Sequence, residues 1–528
     1  MPTKSNYQKG LLNEYHSLEL RFNFIERENR QLKYEYKLLE KRYNTVKYNY
    51  ESAKEIAAKE ERNKYQKQVD EYQKQLDEKD KEIAKLKSLL NTDSTNSGIP
   101  TSKTPINKNK TIPNNRKKSN KKIGGQEGHK KYKLKKFKEE EINEVEYIKL
   151  DKCPHCDGKL IDTKETIDKD VTDYKLVVIK KRVKFIKYKC SCCGKEVHEK
   201  IPNDLKEENQ YGPNVKALTL ELLNEGVVSI NRVRRIIKGF TNDEIDLSEG
   251  YIAKIQKNVA KQLEFFNNEL KLKLLKRKLL YWDDTVIFVN KKRACLRFYG
   301  DEKLAYYVAH EKKDKEGLDN DNILNTLDKE TTVMHDHNKV NYNKEYSFNN
   351  IECNTHLQRD LQKVIDNLDA TWAKELKKLI SDGIKQRKDF IENKIDYNEE
   401  FSKNFLNKFD DIMLDAMQEN KEHGAVYYAD TEKILILRLL DYKENYFAWT
   451  IDFGLPTTNN LSERSLRGSK TKLKISGQFQ NIRRASDYAN IKSYIETCYR
   501  NNVNPFEALF RLSLGVPFSI NEILSEEK

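Results

Sequence analysis

The chain has 528 residues, and no stretch of it approaches the roughly 20 consecutive apolar residues that cross a bilayer. Its start, Met1-Pro2-Thr3-Lys4, is not followed by the apolar run of a signal peptide. Both absences argue against secretion and against an integral membrane protein, and place the expected site of action in the cytoplasm. Cysteine is scarce: eight residues are too few for a disulfide scaffold at this length. Apolar residues are also in short supply. They make up 37% of the chain, against about 45–50% in ordinary globular domains, while charged residues reach 35% against about 25%. Such a chain buries a core in places and is solvated and extended elsewhere. Its length implies about three or four domains.

What is present begins with charge. Ninety-nine Lys and Arg face 84 Asp and Glu, a net of +15, which points to a polyanionic partner, with nucleic acid first. Most of the excess lies in one stretch. Residues 101–138 hold fourteen Lys and Arg and one acid, Glu127, a net of +13. With Lys117, Lys118, Lys121 and Lys122 at its centre, the 92–138 segment reads as a basic disordered linker that contacts phosphates.

Residues 1–91 carry a seven-residue repeat. Leu11, Leu18, Ile25, Leu32, Leu39 and Val46 fill one seam position, and Tyr15, Phe22, Asn29, Tyr36 and Tyr43 the other. The register breaks near 57–62 and resumes at Tyr65, as a stutter does. The pattern predicts one long helix that pairs with a second copy, making the protein a homodimer through a coiled coil, with Asn29 setting register.

Five cysteines cluster within 41 residues. Cys153-x-x-Cys156 and Cys190-x-x-Cys193 have the form of two knuckles that present four thiolates to one structural Zn²⁺, with His155 and Cys192 as substitute ligands. The flanking 177–179 and 183–188 runs predict a β-hairpin, so 139–202 is a small zinc-binding β module. Residues 203–276 read as helices: one opened by Pro213, a second capped by Ser229 and carrying Arg232, Arg234 and Arg235, and a third, long one capped by Ser248. A helix-turn-helix on DNA and a plain spacer both fit that pattern.

From Leu279 the pattern switches to strands. Runs at 279–289, 294–299 and 304–309 form a meander, followed by a helix near 318–327, a strand at 331–336 and a short strand at 351–353. This is the element order of a ribonuclease H-like fold. There, acids on the first strand (Asp283 or Asp284) and at the end of the fourth (Asp336) lie close together. With a third carboxylate on a later helix they would hold two Mg²⁺ ions for phosphoryl transfer. His335 and His337 flank Asp336 and suggest a His/Asp phosphohydrolase, but strand alternation turns both away from its face. Residues 361–446 read as a helical insertion whose Trp372, like Trp449 just beyond it, belongs to a core.

The segment Pro456-Thr457-Thr458-Asn459-Asn460-Leu461-Ser462-Glu463-Arg464-Ser465-Leu466-Arg467 closely resembles the P-x-x-N-N-x-x-E-R-x-x-R signature of bacterial insertion-sequence transposases of the IS sixty-six family. Gly124-Gly125-Gln126-Glu127-Gly128-His129, Cys153-Pro154-His155-Cys156, Tyr211-Gly212-Pro213, Trp282-Asp283-Asp284-Thr285, Cys353-Asn354-Thr355-His356-Leu357-Gln358-Arg359 and Asn504-Pro505-Phe506 resemble further family motifs in the family's order. Two departures stand out: the family's Glu after the first Asp is Asp284 here, and Asn354-Thr355 replaces its Trp before His356.

The resemblance implies a DDE-type DNA transposase with Asp283, Asp336 and Glu463 as its Mg²⁺-binding triad. Asn459 or Asn460 would cap the Glu463 helix, and Arg464 and Arg467 would face phosphates. The expected partners are transposon-end and target DNA, a second copy, and the accessory transposition proteins the family often uses, at the bacterial nucleoid. The expected organisation is multidomain: an N-terminal α coiled coil (1–91), the basic arm, a zinc-binding β module, a helical segment, an α/β ribonuclease H-like catalytic core (277–515) with a helical insertion, and a tail (516–528). The alternative is a non-catalytic zinc-containing DNA-binding protein, a repressor or a domesticated transposase.

Overall fold

The computed structural model describes the chain except residues 1–3, 49–54, 92–134, 203–204, 206, 425 and 525–528. The basic centre of the linker, with Lys117, Lys118, Lys121 and Lys122, and the 124–129 box lie outside the described residues.

The expectation of one long N-terminal helix is corrected. Helix α1 (Lys4–Tyr48) and helix α2 (Glu55–Asn91) pack on each other. They run antiparallel, since Asn29 Nδ2 donates to Asp80 Oδ1 at 2.8 Å, Lys79 pairs with Glu28 at 3.0 Å and Lys87 sits over the Phe22 ring. Ile25, Leu76 and Leu86 are buried in the seam. A heptad repeat specifies an apolar stripe but not which helix covers it; here the chain's own second helix does. Asn29 is the buried polar member of the seam and takes its partner in cis.

The β-hairpin expected at 177–188 is not formed. Strand β1 (Lys187–Lys189) pairs instead with β2 (Glu196–His198) around the second cysteine turn. Four helices follow: α3 (Pro213–Asn224), α4 (Ile230–Phe240), α5 (Glu249–Gln262) and α6 (Glu264–Leu274). The expected long third helix is thus two, divided at Leu263. Ser248 caps α5 by accepting from Tyr251 N at 3.1 Å, whereas the Ser229 side chain makes no cap bond.

The larger sheet is a five-stranded mixed sheet. It consists of β3 (Leu279–Val289), β4 (Lys292–Gly300), β5 (Ala305–His310), β6 (Thr332–His335) and β7 (Asn349–Glu352), in the spatial order β5-β4-β3-β6-β7. The first three form an antiparallel meander; β6 runs parallel to β3, and β7 parallel to β6. Between β5 and β6, helix α7 (Lys315–Asp321) is shorter than expected because Asn322 adopts a left-handed conformation at its end.

Helices α8 (Asn354–Leu368), α9 (Thr371–Glu392), α10 (Glu399–His423), α11 (Ala429–Asp441) and α12 (Lys443–Phe447) share a separate apolar core containing Trp372, Phe405, Phe409 and Trp449. The chain then returns to the sheet with α13 (Asn460–Ser476), α14 (Ile482–Arg500), α15 (Pro505–Leu514) and α16 (Ile520–Leu524). The expected C-terminal tail is corrected: Ile520 and Ile523 are buried in the main core.

Strand alternation decides what each sheet face carries. Leu280, Trp282 and Val333 face a core built with α3, α5, α6, α14 and α15. Tyr281, Ile287, Met334, Ile351 and Cys353 face the opposite core, which Leu461 and Leu466 of α13 complete. Asp283 shares the parity of Tyr281, and Asp336 that of Met334.

Candidate active site

Asp283 and Asp336 therefore come from neighbouring parallel strands onto the α13 face, Asp336 one residue beyond β6. Asp284 points the other way, where Lys313 Nζ holds its Oδ1 at 2.6 Å. Glu463 lies in the first turn of α13. One imidazole links the two later acids. His356 Nδ1 is 3.0 Å from Asp336 Oδ1, off the line of a good hydrogen bond, and His356 Nε2 is 3.8 Å from Glu463 Oε1. Arg359, one turn further along α8, reaches the same Glu463 oxygen at 3.7 Å and His356 Nε2 at 3.2 Å.

The electrostatics follow from that crowding. Burial, followed by the negative charge of Asp336, pushes the Asp283 carboxyl up to about 7. Burial also works against ionising Asp336, but the contacts with His356 and Asn459 outweigh it and leave that carboxyl below its usual range. For His356 burial favours the neutral ring, while Asp336 and Cys353 raise its pKa; the Arg359 guanidinium can only donate, so its contact requires a free lone pair on Nε2. Lys470, two turns along α13, adds positive charge that favours ionised Asp283.

The donor chemistry suits a hard cation. Two crowded carboxylates, one of them resisting ionisation, offer oxygen ligands whose repulsion a divalent ion relieves. Among the described residues, the group of three His, Cys, Asp or Glu side chains whose ligand atoms lie within 4.8 Å of one another is Asp336, Cys353 and His356. Outside that group, His356 lies between Asp336 and Glu463, and Asp283 is near enough to Asp336 to feel its charge.

The expectation that Asn459 or Asn460 caps the Glu463 helix is corrected. Asn459 occupies the cap position, but its side chain makes no cap bond and turns inward, while Asn460 is exposed. Arg464 and Arg467 are exposed on α13. Arg387 of α9 donates to the carbonyls of Phe453 and Leu455, so the helical insertion helps hold the loop that leads into α13. His335 and His337 do turn away from the carboxylates: His335 Nε2 meets Asn350 Oδ1 at 2.7 Å, and His337 Nδ1 meets buried Glu352 at 2.8 Å.

The cysteine knuckles repeat one turn twice. Cys153 N donates to Gly158 O and Asp157 N to Cys153 O; Cys190 N donates to Lys195 O and Gly194 N to Cys190 O. Asp157 and Gly194 take the left-handed conformation that closes each turn. Backbone amides aimed at the first sulfur lower both leading thiols, that of His155 most for Cys153 and that of Cys193 most for Cys190. Each knuckle is thus formed as a pair, but the structure does not gather Cys153, Cys156, Cys190 and Cys193 into one group of ligands. On α4, Arg232 and Arg235 are exposed, whereas Arg234 is held by both oxygens of Asp246 at 2.6 and 2.9 Å.

Sequence reasoning assigned no role to His356 and Arg359, although both stand in the quoted 353–359 motif. Their signal was three-residue spacing on a helix that starts beside Asp336.

The model of the Transposase IS66 family matches residues 208–487, more than half of the chain. The chain belongs to this family. The matched part runs from just before α3 into α14 and contains Asp283, Asp336, Glu463, His356 and Arg359. No curated protein and no solved structure matches the chain. Among the described residues, no helix is long and apolar enough to cross a membrane.

Proposed function

We propose that this IS66-family transposase is a DDE-type enzyme that cuts and joins DNA at the cleft between β3, β6 and α13. The observation that carries the reading is the arrival of Asp283, Asp336 and Glu463 on one sheet face, with His356 within 3.0 Å of one acid and 3.8 Å of another. The strand order β5-β4-β3-β6-β7, antiparallel then parallel, supports reading the core as ribonuclease H-like.

The three carboxylates would hold Mg²⁺, whose chemistry is to polarise a phosphodiester and stabilise the attacking and leaving oxygens. The chain supplies the rest. His356 and Arg359 hold Asp336 and Glu463 in place across the cleft. Arg464 and Arg467, one and four residues beyond Glu463, present guanidinium groups to phosphates. Cleavage and transfer are two phosphoryl transfers at one centre. Water attacks a phosphorus at the transposon end, leaving a 5′-phosphate and a free 3′-hydroxyl. That hydroxyl then attacks a target phosphodiester and releases a target 3′-hydroxyl.

Around this centre, the two knuckles would close on one structural Zn²⁺. The basic arm, the knuckles and α4 would grip the transposon ends. The helical hairpin keeps Leu12, Leu20, Phe24 and Leu89 exposed on its outside, apolar surface suited to pairing with a second copy; sedimentation of a chain lacking residues 1–91 tests that pairing. The test of the catalytic reading is end cleavage in Mg²⁺ with DNA carrying the element's own terminal repeats. Wild type should cleave, and Asp283→Asn, Asp336→Asn and Glu463→Gln should each lose activity by at least 10³-fold, while Asp284→Asn loses far less. A Glu463→Gln variant cutting at the wild-type rate would remove the triad and leave the non-catalytic DNA-binding reading.

A further inference from the structure

We propose that Asn459 is the positioning residue that fixes the three carboxylates relative to one another. This inference rests on the reading of those carboxylates as a metal-holding site. An Asn at a helix cap ordinarily turns its side-chain oxygen onto the helix's own free amides. This one does not. It is fully buried, and its Nδ2 donates to the carbonyl of Trp282, the residue before Asp283, at 3.0 Å. The same Nδ2 lies 3.4 Å from Asp336 Oδ1. Its main-chain N–H donates to Cys353 Sγ at 3.2 Å, just after β7. Its carbonyl accepts from Glu463 N at 3.2 Å, the first turn of the helix bearing the third acid. A single residue thus touches the backbone beside Asp283, the side chain of Asp336 and the backbone of Glu463.

The orientation of the amide is determined by its neighbours. Trp282 O and Asp336 Oδ1 are both acceptors, so only the NH₂ end can face them. The other end, Oδ1, is then buried with no partner. An unsatisfied buried acceptor costs free energy, and a cap bond to α13 would have used it. Local stability is given up at a place where three catalytic elements meet, as is common at functional sites.

Residues that orient metal ligands typically change metal affinity or activity by about 10–100-fold when removed. Asn459→Ala should therefore weaken Mn²⁺ binding to the full-length protein, read by electron paramagnetic resonance without DNA, by about 10–100-fold. It should raise the Mg²⁺ concentration for half-maximal end cleavage at least about tenfold and leave end binding unchanged. Asn459→Leu, close in shape but without donors, should show the same losses and answers the question if the alanine variant fails to fold. Asn460→Ala, the exposed neighbour, should stay within about threefold of wild type on the same scale. Wild-type Mn²⁺ affinity and Mg²⁺ dependence in a folded Asn459 variant would overturn the inference. If Asp283→Asn loses Mn²⁺ while the Asn459 variants do not, only the positioning role fails. If Asp283→Asn also keeps wild-type Mn²⁺ affinity, the metal-site reading itself is wrong.

Discussion

The cysteine knuckles and the carboxylate cleft are both candidate metal centres, yet the chain builds them in opposite ways. Each knuckle is a six-residue turn, 153–158 or 190–195, closed by its own backbone hydrogen bonds. Around them Ile148, Ile161, Ile167, Val171 and Tyr174 stay exposed, so little apolar packing brings one pair to the other. The acids of the cleft come from elements far apart in sequence. There, Tyr281, Met334, Ile351 and Leu466 are buried on one sheet face and hold those elements together. A site gathered by burial stands without its ion. A site made of local turns leaves the gathering to the ion, and the binding free energy then becomes folding free energy.

The strongest way to break that contrast is to remove the acids. In metal-free buffer at pH 7–8, Asp283→Asn, Asp336→Asn and Glu463→Gln should fold, although each should have lost end cleavage. Asp283→Asn should even melt higher than wild type. Its folded pKa is raised to about 7 from an unfolded value near 4, so ionising it in the native state costs stability that grows as pH rises between those values and is fully present above them. Melting curves at pH 5 and pH 8 check the sign: the gain should be larger at pH 8. A large drop in melting temperature for all three variants would mean that packing alone does not assemble the cleft.

The reciprocal experiment acts on the knuckles. Purified protein should hold about one zinc per chain, and Cys156→Ser should release it. The loss should make residues 139–202 sensitive to protease while the main thermal transition of the sheet core stays in place. Metal analysis of freshly purified wild type without zinc would remove the four-cysteine assignment.

How far each region was legible follows from the same contrast. The meander could be read because β3, β4 and β5 are runs rich in aliphatic and aromatic residues divided by short turns, with Asn290 and Lys291 both at positive φ between the first two. Parity alone puts Asp283 and Asp284 on opposite faces of the sheet without saying which of them meets Asp336; the family resemblance, not the strand pattern, singled out Asp283. The hairpin of α1 and α2 could not be read, because a heptad stripe is satisfied equally by a second copy and by the chain's own next helix. The inward turn of Asn459 was hidden for a related reason: capping is a local rule, and a tertiary demand from Trp282 and Asp336 overrode it. The split of the long helix at Leu263 likewise has no breaker residue to announce it.

A smaller test concerns how much charge the packed core tolerates. Lys472 of α13 is buried beside Leu223 O and the Tyr488 ring. Burial, with Lys492 next in effect, lowers its pKa to about 8. The unfolded chain binds that proton more tightly, so stability should rise with pH between about 8 and 10.4. Lys472→Met should raise stability at pH 7 by ~1–2 kcal/mol and flatten that part of the pH profile. Chemical denaturation at pH 7 and pH 9.5 measures both, and a destabilised methionine variant would mean that the interactions with Leu223 and Tyr488 outweigh the cost of burial.

The smallest expected effect separates three arginines on one helix. Arg232 and Arg235 of α4 are exposed, whereas Arg234 is committed to Asp246 through two short hydrogen bonds. An arginine already paired with a carboxylate has less charge to give a phosphate, and releasing it exposes the carboxylate. If α4 lies against DNA, Arg232→Ala with Arg235→Ala should lower the slope of log affinity against log salt by about two, roughly 0.9 for each phosphate that is no longer neutralised. Arg234→Ala should change that slope little and act instead, modestly, on the stability of the α4–α5 turn, where the pair is open to solvent screening. Binding of terminal-repeat DNA over a range of salt concentrations gives both slopes. An unchanged slope in the double variant would assign α4 to the role of a spacer between the cysteine knuckles and the sheet, and DNA binding would then fall to the basic arm and the α13 arginines.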